Sequence, residues 1–220
     1  TFEIWGALLN GLSLYLMGSG VLGPKELKTA VVRHDITTMW LTTPLFNQLT
    51  DVEAAIFDGL KNLLIGGDRL SPRHINRIWE IYPDLNVING YGPTENATFS
   101  TAHLVQAEHR YSVPIGKPIA NSTAFIVDKY FHLLPEGIVG QLCTGGDGVA
   151  RGYLNNPELT HERFKENPFV PGDRMCLTGD NARWLEDGTI DFLGRSDHQV
   201  KIRGFRIETG EIQREVERHN

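Results

Sequence analysis

The sequence predicts an α/β protein: a mostly parallel, doubly wound sheet, a small distorted β-barrel, and the beginning of a mobile α+β C-terminal subdomain. Three observations predict it. Helical and apolar-strand patterns alternate from the start to about residue 90, short strands and turns replace them after about residue 105, and a hairpin-like run leads into a last helix. The matching boundaries are 1–105 for the sheet, 106–196 for the barrel, and 197–220 for a hinge and the start of the small subdomain.

The elements follow in order. The chain starts in what reads as the middle of an uncapped amphipathic helix, 2–9, which stops at Asn10-Gly11, and a strand is expected at 12–17. Pro24 opens a helix to about Arg33, and the β-branched, apolar run 37–41 is a strand, as is 60–65. Ser71-Pro72 caps a helix in which Ile75, Ile78, Trp79 and Tyr82 recur at helical spacing, and Pro83 ends it before strand 85–88. This punctuation is βαβ, so the sheet is mostly parallel and covered by helices. Ligands of such sheets bind at the carboxyl ends of strands, which is where Gly66-Gly67-Asp68 and the loop 90–95 stand.

Further along, 123–127, 139–143 and 189–193 read as short strands, with turns at Pro135-Glu136-Gly137 and at Gly188 and a short helix from Pro157. The runs 199–202 and 205–207 form a hairpin before helix 210–218. No internal repeat or low-complexity segment interrupts this order. The uncapped start, and an end at Asn220 without a finished partner for the last helix, give the expectation that these 220 residues are a fragment.

Composition narrows the function class. With 40% hydrophobic, 9% aromatic and 22% charged residues the chain is an ordinary globular one. A net charge of −6, from 21 basic and 27 acidic residues, provides no electrostatic footprint for nucleic acid. The apolar stretch 8–17 is broken by Asn10, Gly11 and Ser13, so no membrane span is expected, and no signal peptide is visible. Cys143 and Cys176 lack the paired spacing of a zinc site, which makes a reducing, cytoplasmic context the simplest.

The richest stretch is Asn89-Gly90-Tyr91-Gly92-Pro93-Thr94-Glu95. Its glycines permit close backbone approach, Pro93 stiffens the loop, and Tyr91 offers an aromatic face. Thr94 supplies a hydroxyl for a phosphate oxygen, and Glu95 a carboxylate for a hard cation such as Mg²⁺. Singly, each is an ordinary turn residue. Together they describe a nucleotide site.

The heptad resembles a core motif of adenylate-forming enzymes, specifically the adenylation domains of nonribosomal peptide synthetases. Gly145-Gly146-Asp147-Gly148-Val149-Ala150-Arg151-Gly152-Tyr153 resembles the family's glycine-rich segment, Leu177-Thr178-Gly179-Asp180 its ribose-binding turn, and Gly194-Arg195-Ser196-Asp197-His198-Gln199-Val200-Lys201-Ile202-Arg203-Gly204 its hinge. The resemblance implies a reaction that joins a carboxylate to the α-phosphate of ATP, releases pyrophosphate, and passes the acyl group to a phosphopantetheine thiol. It implies ATP and Mg²⁺ as cofactors, with a peptidyl carrier domain and neighbouring synthetase modules as partners.

On that resemblance Tyr91 is one wall of an adenine slot with Asn89 nearby, and Phe192 lies near the other face; an isolated strand aromatic is otherwise a core residue. Asp180 takes the ribose hydroxyls, against an alternative as an Asx-type turn residue. Cys176 and Leu177 depart from the family pattern, which has an aromatic and a basic residue there. Arg195 offers a guanidinium fork to phosphate or ribose oxygens, or else forms a surface salt bridge. Thr94, Glu95 and Arg195 are thus the expected catalytic residues, with Glu95 on Mg²⁺. Asp197 matches the hinge about which the small domain rotates. Lys201 and Arg203 receive no catalytic role, and Gly145-Gly146 reads as structural, since no Gly-Lys-Ser/Thr follows.

By motif position Phe2, Trp40, Leu64, Gly66, Gly90, Thr98 and Phe99 line the substrate pocket. The set carries no charge, and its aromatic walls suit a small neutral aliphatic side chain. It resembles the signature of valine-activating domains, with leucine, isoleucine and 2-aminobutyrate as competitors. The family's carboxylate for the α-amino group, its phosphate-gripping loop and its adenylate-forming lysine do not occur in these residues, so the 220 residues alone are expected to be inactive. An acyl- or aryl-CoA ligase of the same superfamily and a non-catalytic nucleotide-binding module are the alternative readings.

Overall fold

The computed structural model describes residues 2–18, 23–106, 108–197, 199–202 and 205–219, with backbone only at 201, 202, 205, 206 and 214. Thr1, His198, Arg203 and Gly204, and the side chain of Lys201, lie outside the described residues. The chain divides into two compact units, Thr1–Asn89 with Leu104–Val113, and Gly90–His103 with Pro114–Asn220.

In the first unit the order is α1 (Phe2–Leu8), α2 (Pro24–Arg33), β1 (Thr38–Thr42), α3 (Thr43–Glu53), a 3-10 turn (Ala54–Phe57), β2 (Asn62–Gly66), α4 (Pro72–Ile81) and the start of β3 (Asn86–Tyr91). β1 and β2 are parallel, with Trp40 opposite Leu64 and Thr42 opposite Gly66. Side chains alternate along a strand, so Leu41, Leu63 and Ile65 enter the core with Phe46, Phe57, Ile75, Ile78 and Val87, while Trp40 and Leu64 take the other face. Each fully buried side chain of this size stabilises by about 1.5–3 kcal/mol.

Two expectations need correction here, and one helix stands where none was expected. Residues 12–18 form no strand: Gly11, at φ +66°, terminates α1, and Leu12, Leu16 and Met17 are exposed. Alternating apolar residues make a strand only where a neighbour completes the ladder. Ser71 does not cap α4 with its side chain; its hydroxyl lies 2.7 Å from Nδ1 of His74, and Pro72 at the first turn starts the helix instead. Helix α3 went unread because it follows β1 without a loop and opens on β-branched Thr43; Pro44 and the buried Phe46 and Leu49 were its available signals.

The second unit holds β4 (Thr101–Leu104, all but its last residue), β5 (Lys117–Pro118), β6 (Ser122–Val127), β7 (Gly140–Gly146), α5 (Pro157–Arg163), β8 (Phe164–Glu166), β9 (Arg174–Trp184), β10 (Ile190–Arg195), β11 (Val200–Ile202), β12 (Phe205–Ile207) and α6 (Thr209–Arg218). In this unit β4 pairs antiparallel with β5, Thr101 opposite Pro118 and Ala102 opposite Lys117. The large antiparallel sheet runs β10-β9-β7-β6, with β8 on β9. This is an open path, and the expected barrel is not closed among the described residues. β11 and β12 pair as the expected hairpin. Ala124 and Ile126 pack in one cluster with Leu142, Ala182 and Ile190, and the alternate Phe125 and Val127 in another with Cys143 and Met175. Both sheet faces are therefore covered.

Candidate nucleotide site

Asn89, Gly90 and Tyr91 are the end of β3, so the loop proper begins at Gly92. A side chain at Gly92 would lie 2.6 Å from the Thr98 carbonyl oxygen and 2.7 Å from the Ser100 nitrogen, and one at Gly90 would lie 2.6 Å from the Phe99 ring. The room these glycines leave is used first by the chain itself. Ser100 N–H donates to the Tyr91 carbonyl at 2.7 Å and closes the loop. Inside it Ala97 and Thr98 have φ of +41° and +78°, and a β-branched residue in that region stores strain of about 1–3 kcal/mol. Thr94 is exposed at the loop surface, and Glu95 is buried.

The segment 177–180 is not a turn but the interior of β9. Leu142 pairs with Asp180 and the next residue, Cys143, with Leu177, so Thr178 and Gly179 bulge out of the ladder. A second bulge at Leu193 in β10 brings Arg195 opposite Asp180. Thr178 steadies the bulge: its hydroxyl donates to the Leu142 carbonyl at 2.6 Å and accepts the Asp180 N–H at 3.0 Å.

Asp180, buried at 6% exposure, is the centre of the site. Its Oδ2 accepts from the Tyr91 hydroxyl at 2.5 Å and its Oδ1 from Arg195 Nη1 at 3.0 Å. Arg195 also grips Asp197 bidentately, Nε to Oδ1 and Nη2 to Oδ2, both at 2.7 Å, and Arg163 Nη2 stands 3.7 Å from the same carboxylate. The Asp197 contact foremost holds the Arg195 guanidinium above its ordinary pKa, and that hydrogen bond holds the Asp197 carboxyl below the usual range. Burial, and then the Asp180 charge, push the Tyr91 phenol well above 10. Tyr91 is therefore a neutral donor at physiological pH. Its ring meets that of Phe192 at 5.9 Å, tilted by 41°, and both rest on the cluster that contains Ile115 and Ile190.

Glu95 Oε1 accepts from the Tyr153 hydroxyl at 2.7 Å, and the Glu95 carbonyl accepts from Ala150 N–H at 2.8 Å. No group of three His, Cys, Asp or Glu side chains suited to a metal occurs among the described residues. The buried carboxylate of Glu95 fits Mg²⁺, which is commonly held by one or two carboxylates, with phosphates and water completing its octahedron.

Of the pocket residues, Phe2, Trp40, Leu64 and Gly66 stand in the first unit and Gly90, Thr98 and Phe99 in the second. Trp40 Nε1 is buried without a hydrogen-bond partner among the described residues. Sequence reasoning missed Tyr153, Thr178 and Arg163. Tyr153 closes the glycine-rich segment and was within reach; Thr178 and Arg163 depend on strand register, which no local pattern shows.

The comparisons with known proteins agree with one another. A model described as "AMP-binding enzyme" matches residues 1–154. The chain is 60% identical over 214 residues to tyrocidine synthase 3 of Brevibacillus parabrevis, covering 97% of this chain and 3% of that protein. It is 54% identical over 220 residues to gramicidin S synthase 2 of Brevibacillus brevis, covering 100% and 5%. Among solved structures it is similar to holo-PA1221, a nonribosomal peptide synthetase protein with adenylation and carrier (PCP) domains bound to a vinylsulfonamide inhibitor. There the TM-score is 0.95 at 38% identity, covering all of this chain and 39% of that one. The chain thus spans only a small part of these curated relatives.

Proposed function

This chain belongs to the AMP-binding enzyme family, and from that premise we infer that it is part of an amino-acid-activating adenylation domain. The observation that carries this reading is the convergence of Tyr91 and Arg195 on buried Asp180 beside Phe192. The proposed reaction forms an aminoacyl-adenylate from ATP and a small aliphatic amino acid, with release of pyrophosphate. Transfer to the phosphopantetheine thiol of a carrier domain in a multi-module synthetase follows. The similarity to peptide synthetases favours this over a CoA ligase.

Asp180 accepts the ribose hydroxyls, its plane set by Tyr91 and Arg195. Tyr91 and Phe192 present aromatic faces to the adenine, with Asn89 in polar contact, and Arg195 serves the ribose or phosphate oxygens. Exposed Thr94 donates to a phosphate oxygen. Glu95 holds Mg²⁺, whose charge, when bound, offsets that of the phosphates. Catalysis on this reading is positioning and charge neutralisation. Residues 1–105 and 106–196 form the large part of the domain, and 197–220 begin the small one, turning about Asp197.

By motif position Phe2, Trp40, Leu64, Gly66, Gly90, Thr98 and Phe99 are assigned to the selection of valine. In support, Trp40 and Leu64 are register partners on the face turned away from the core. A methylene separates neighbouring substrates by about 1–3 kcal/mol, so valine is expected to exceed leucine roughly tenfold or more in amino-acid-dependent exchange of pyrophosphate into ATP. The assay uses the full-length protein that carries this chain. Preference for an aromatic or charged amino acid would sink the pocket assignment. The 220 residues alone are expected to give no measurable exchange.

A further inference from the structure

We propose that Tyr153 is a positioning residue that holds the Glu95 carboxylate in place for the divalent cation accompanying the nucleotide, with the glycine-rich segment as its mount. The proposal rests on the adenylation reading of Glu95 given above. The hydroxyl of Tyr153 donates to Glu95 Oε1 at 2.7 Å across 58 residues of sequence. Its ring lies edge-on to Phe164 at 5.4 Å and 67°. That packing needs only a phenyl group, so the hydroxyl is the part that packing does not explain.

The mount is fixed at both ends. Ala150 N–H donates to the Glu95 carbonyl at 2.8 Å, and Val149 bridges to Asn96, which ties the segment to the loop that carries Glu95. Tyr153 N–H donates to Thr160 Oγ1 at 2.9 Å, and that hydroxyl donates to the Asn156 carbonyl at 2.7 Å in the first turn of α5. Gly152, at φ +147°, permits the close approach, since a side chain there would stand 2.4 Å from Thr160 Cγ2. A line of contacts therefore runs from α5 through Thr160 and Tyr153 to Glu95. Hydrogen bonds to a ligating carboxylate orient it, and removing such a partner typically weakens metal affinity about 10–100-fold.

The test measures binding of a non-hydrolysable ATP analogue to the full-length protein by calorimetry over a series of Mg²⁺ concentrations, and of AMP in the presence of chelator. Tyr153→Phe is expected to raise the half-saturating Mg²⁺ about tenfold, to leave metal-free AMP binding unchanged, and to add no further shift in a Glu95→Gln background. An unchanged Mg²⁺ requirement overturns the proposal. So does an equal loss of metal-free AMP binding, or the same shift in the Glu95→Gln background, since either marks a merely structural role. Should Tyr153→Phe not fold, Thr160→Val removes the hydroxyl that seats Tyr153 and is expected to shift the Mg²⁺ requirement in the same direction; no shift overturns the proposal. If the unmodified protein binds no adenine nucleotide at all, the adenylation reading fails and this proposal with it.

Discussion

At the scale of single residues, Tyr91 shows how one side chain serves two demands. Its sequence context reads as an aromatic wall, and the structure adds a hydroxyl that donates to Asp180, 89 residues away. Because burial raises the phenol well above 10, the proton stays on Tyr91 and the charge on the carboxylate side of the pair. A hydrogen bond to a charged acceptor contributes about 1.5–3 kcal/mol. Tyr91→Phe keeps the ring and removes only this bond. Asp180 then loses one of the contacts that set its plane, and AMP affinity, measured by calorimetry, is expected to fall about tenfold, equivalent to about 1.4 kcal/mol. Unchanged AMP binding would show that the ring, and not the aim of Asp180, is what Tyr91 contributes.

At the scale of elements, the two bulges decide the site. Gly179, at φ +75°, lets β9 bulge, and a side chain there would stand 2.9 Å from both Arg195 Nη2 and Asp197 Oδ2. Gly179→Ala is therefore expected to cost about 1–3 kcal/mol from backbone strain and displaced charges, read as a lower denaturant midpoint, with weaker AMP binding alongside. A stable variant that binds AMP normally would show that the bulge does not position Asp180. Such geometry also explains what the sequence made legible. Helices α2, α4 and α6 and strands β1, β2 and β6 could be read because proline starts, helical spacing and β-branched runs are local signals. Within the 11-residue strand β9 only residues 177–180 carry turn chemistry, and their strand character comes from partners at 140–145 and 190–195. Asp180, Arg195 and Glu95 each stand in a motif, as does Tyr153 at the close of the glycine-rich segment, whereas the contacts of Thr178 and Arg163 depend on strand register.

At the scale of the whole molecule, the shifted groups define a pH window for stability. Asp51, Asp128, Asp187 and Asp197 have carboxyl pKa values below the ordinary 3.8, held there chiefly by hydrogen bonds from His74, from the His132 backbone, from Thr189 and from Arg195. Their contribution is present above 3.8 and is lost as pH falls through the lowered values. Burial holds His109 below 6.5, so it favours the folded state above 6.5 and loses that contribution as pH falls through its own lowered value. On the alkaline side burial pushes the Cys143 thiol from 9.0 up to about 12. Its stabilisation is complete below 9.0 and is lost between 9.0 and about 12, joined by Tyr91 above 10. At about 1.4 kcal/mol per pH unit, the Cys143 part amounts to about 4 kcal/mol by pH 12. Stability is therefore expected to be flat from about 6.5 to 9 and to fall on both sides. Denaturant titrations across pH, made on the unmodified protein and on Cys143→Val, separate the causes. The variant is expected to lose the part of the decline that begins at pH 9 and to keep the acid limb, and an alkaline limb identical in both proteins would exclude the buried thiol as its source.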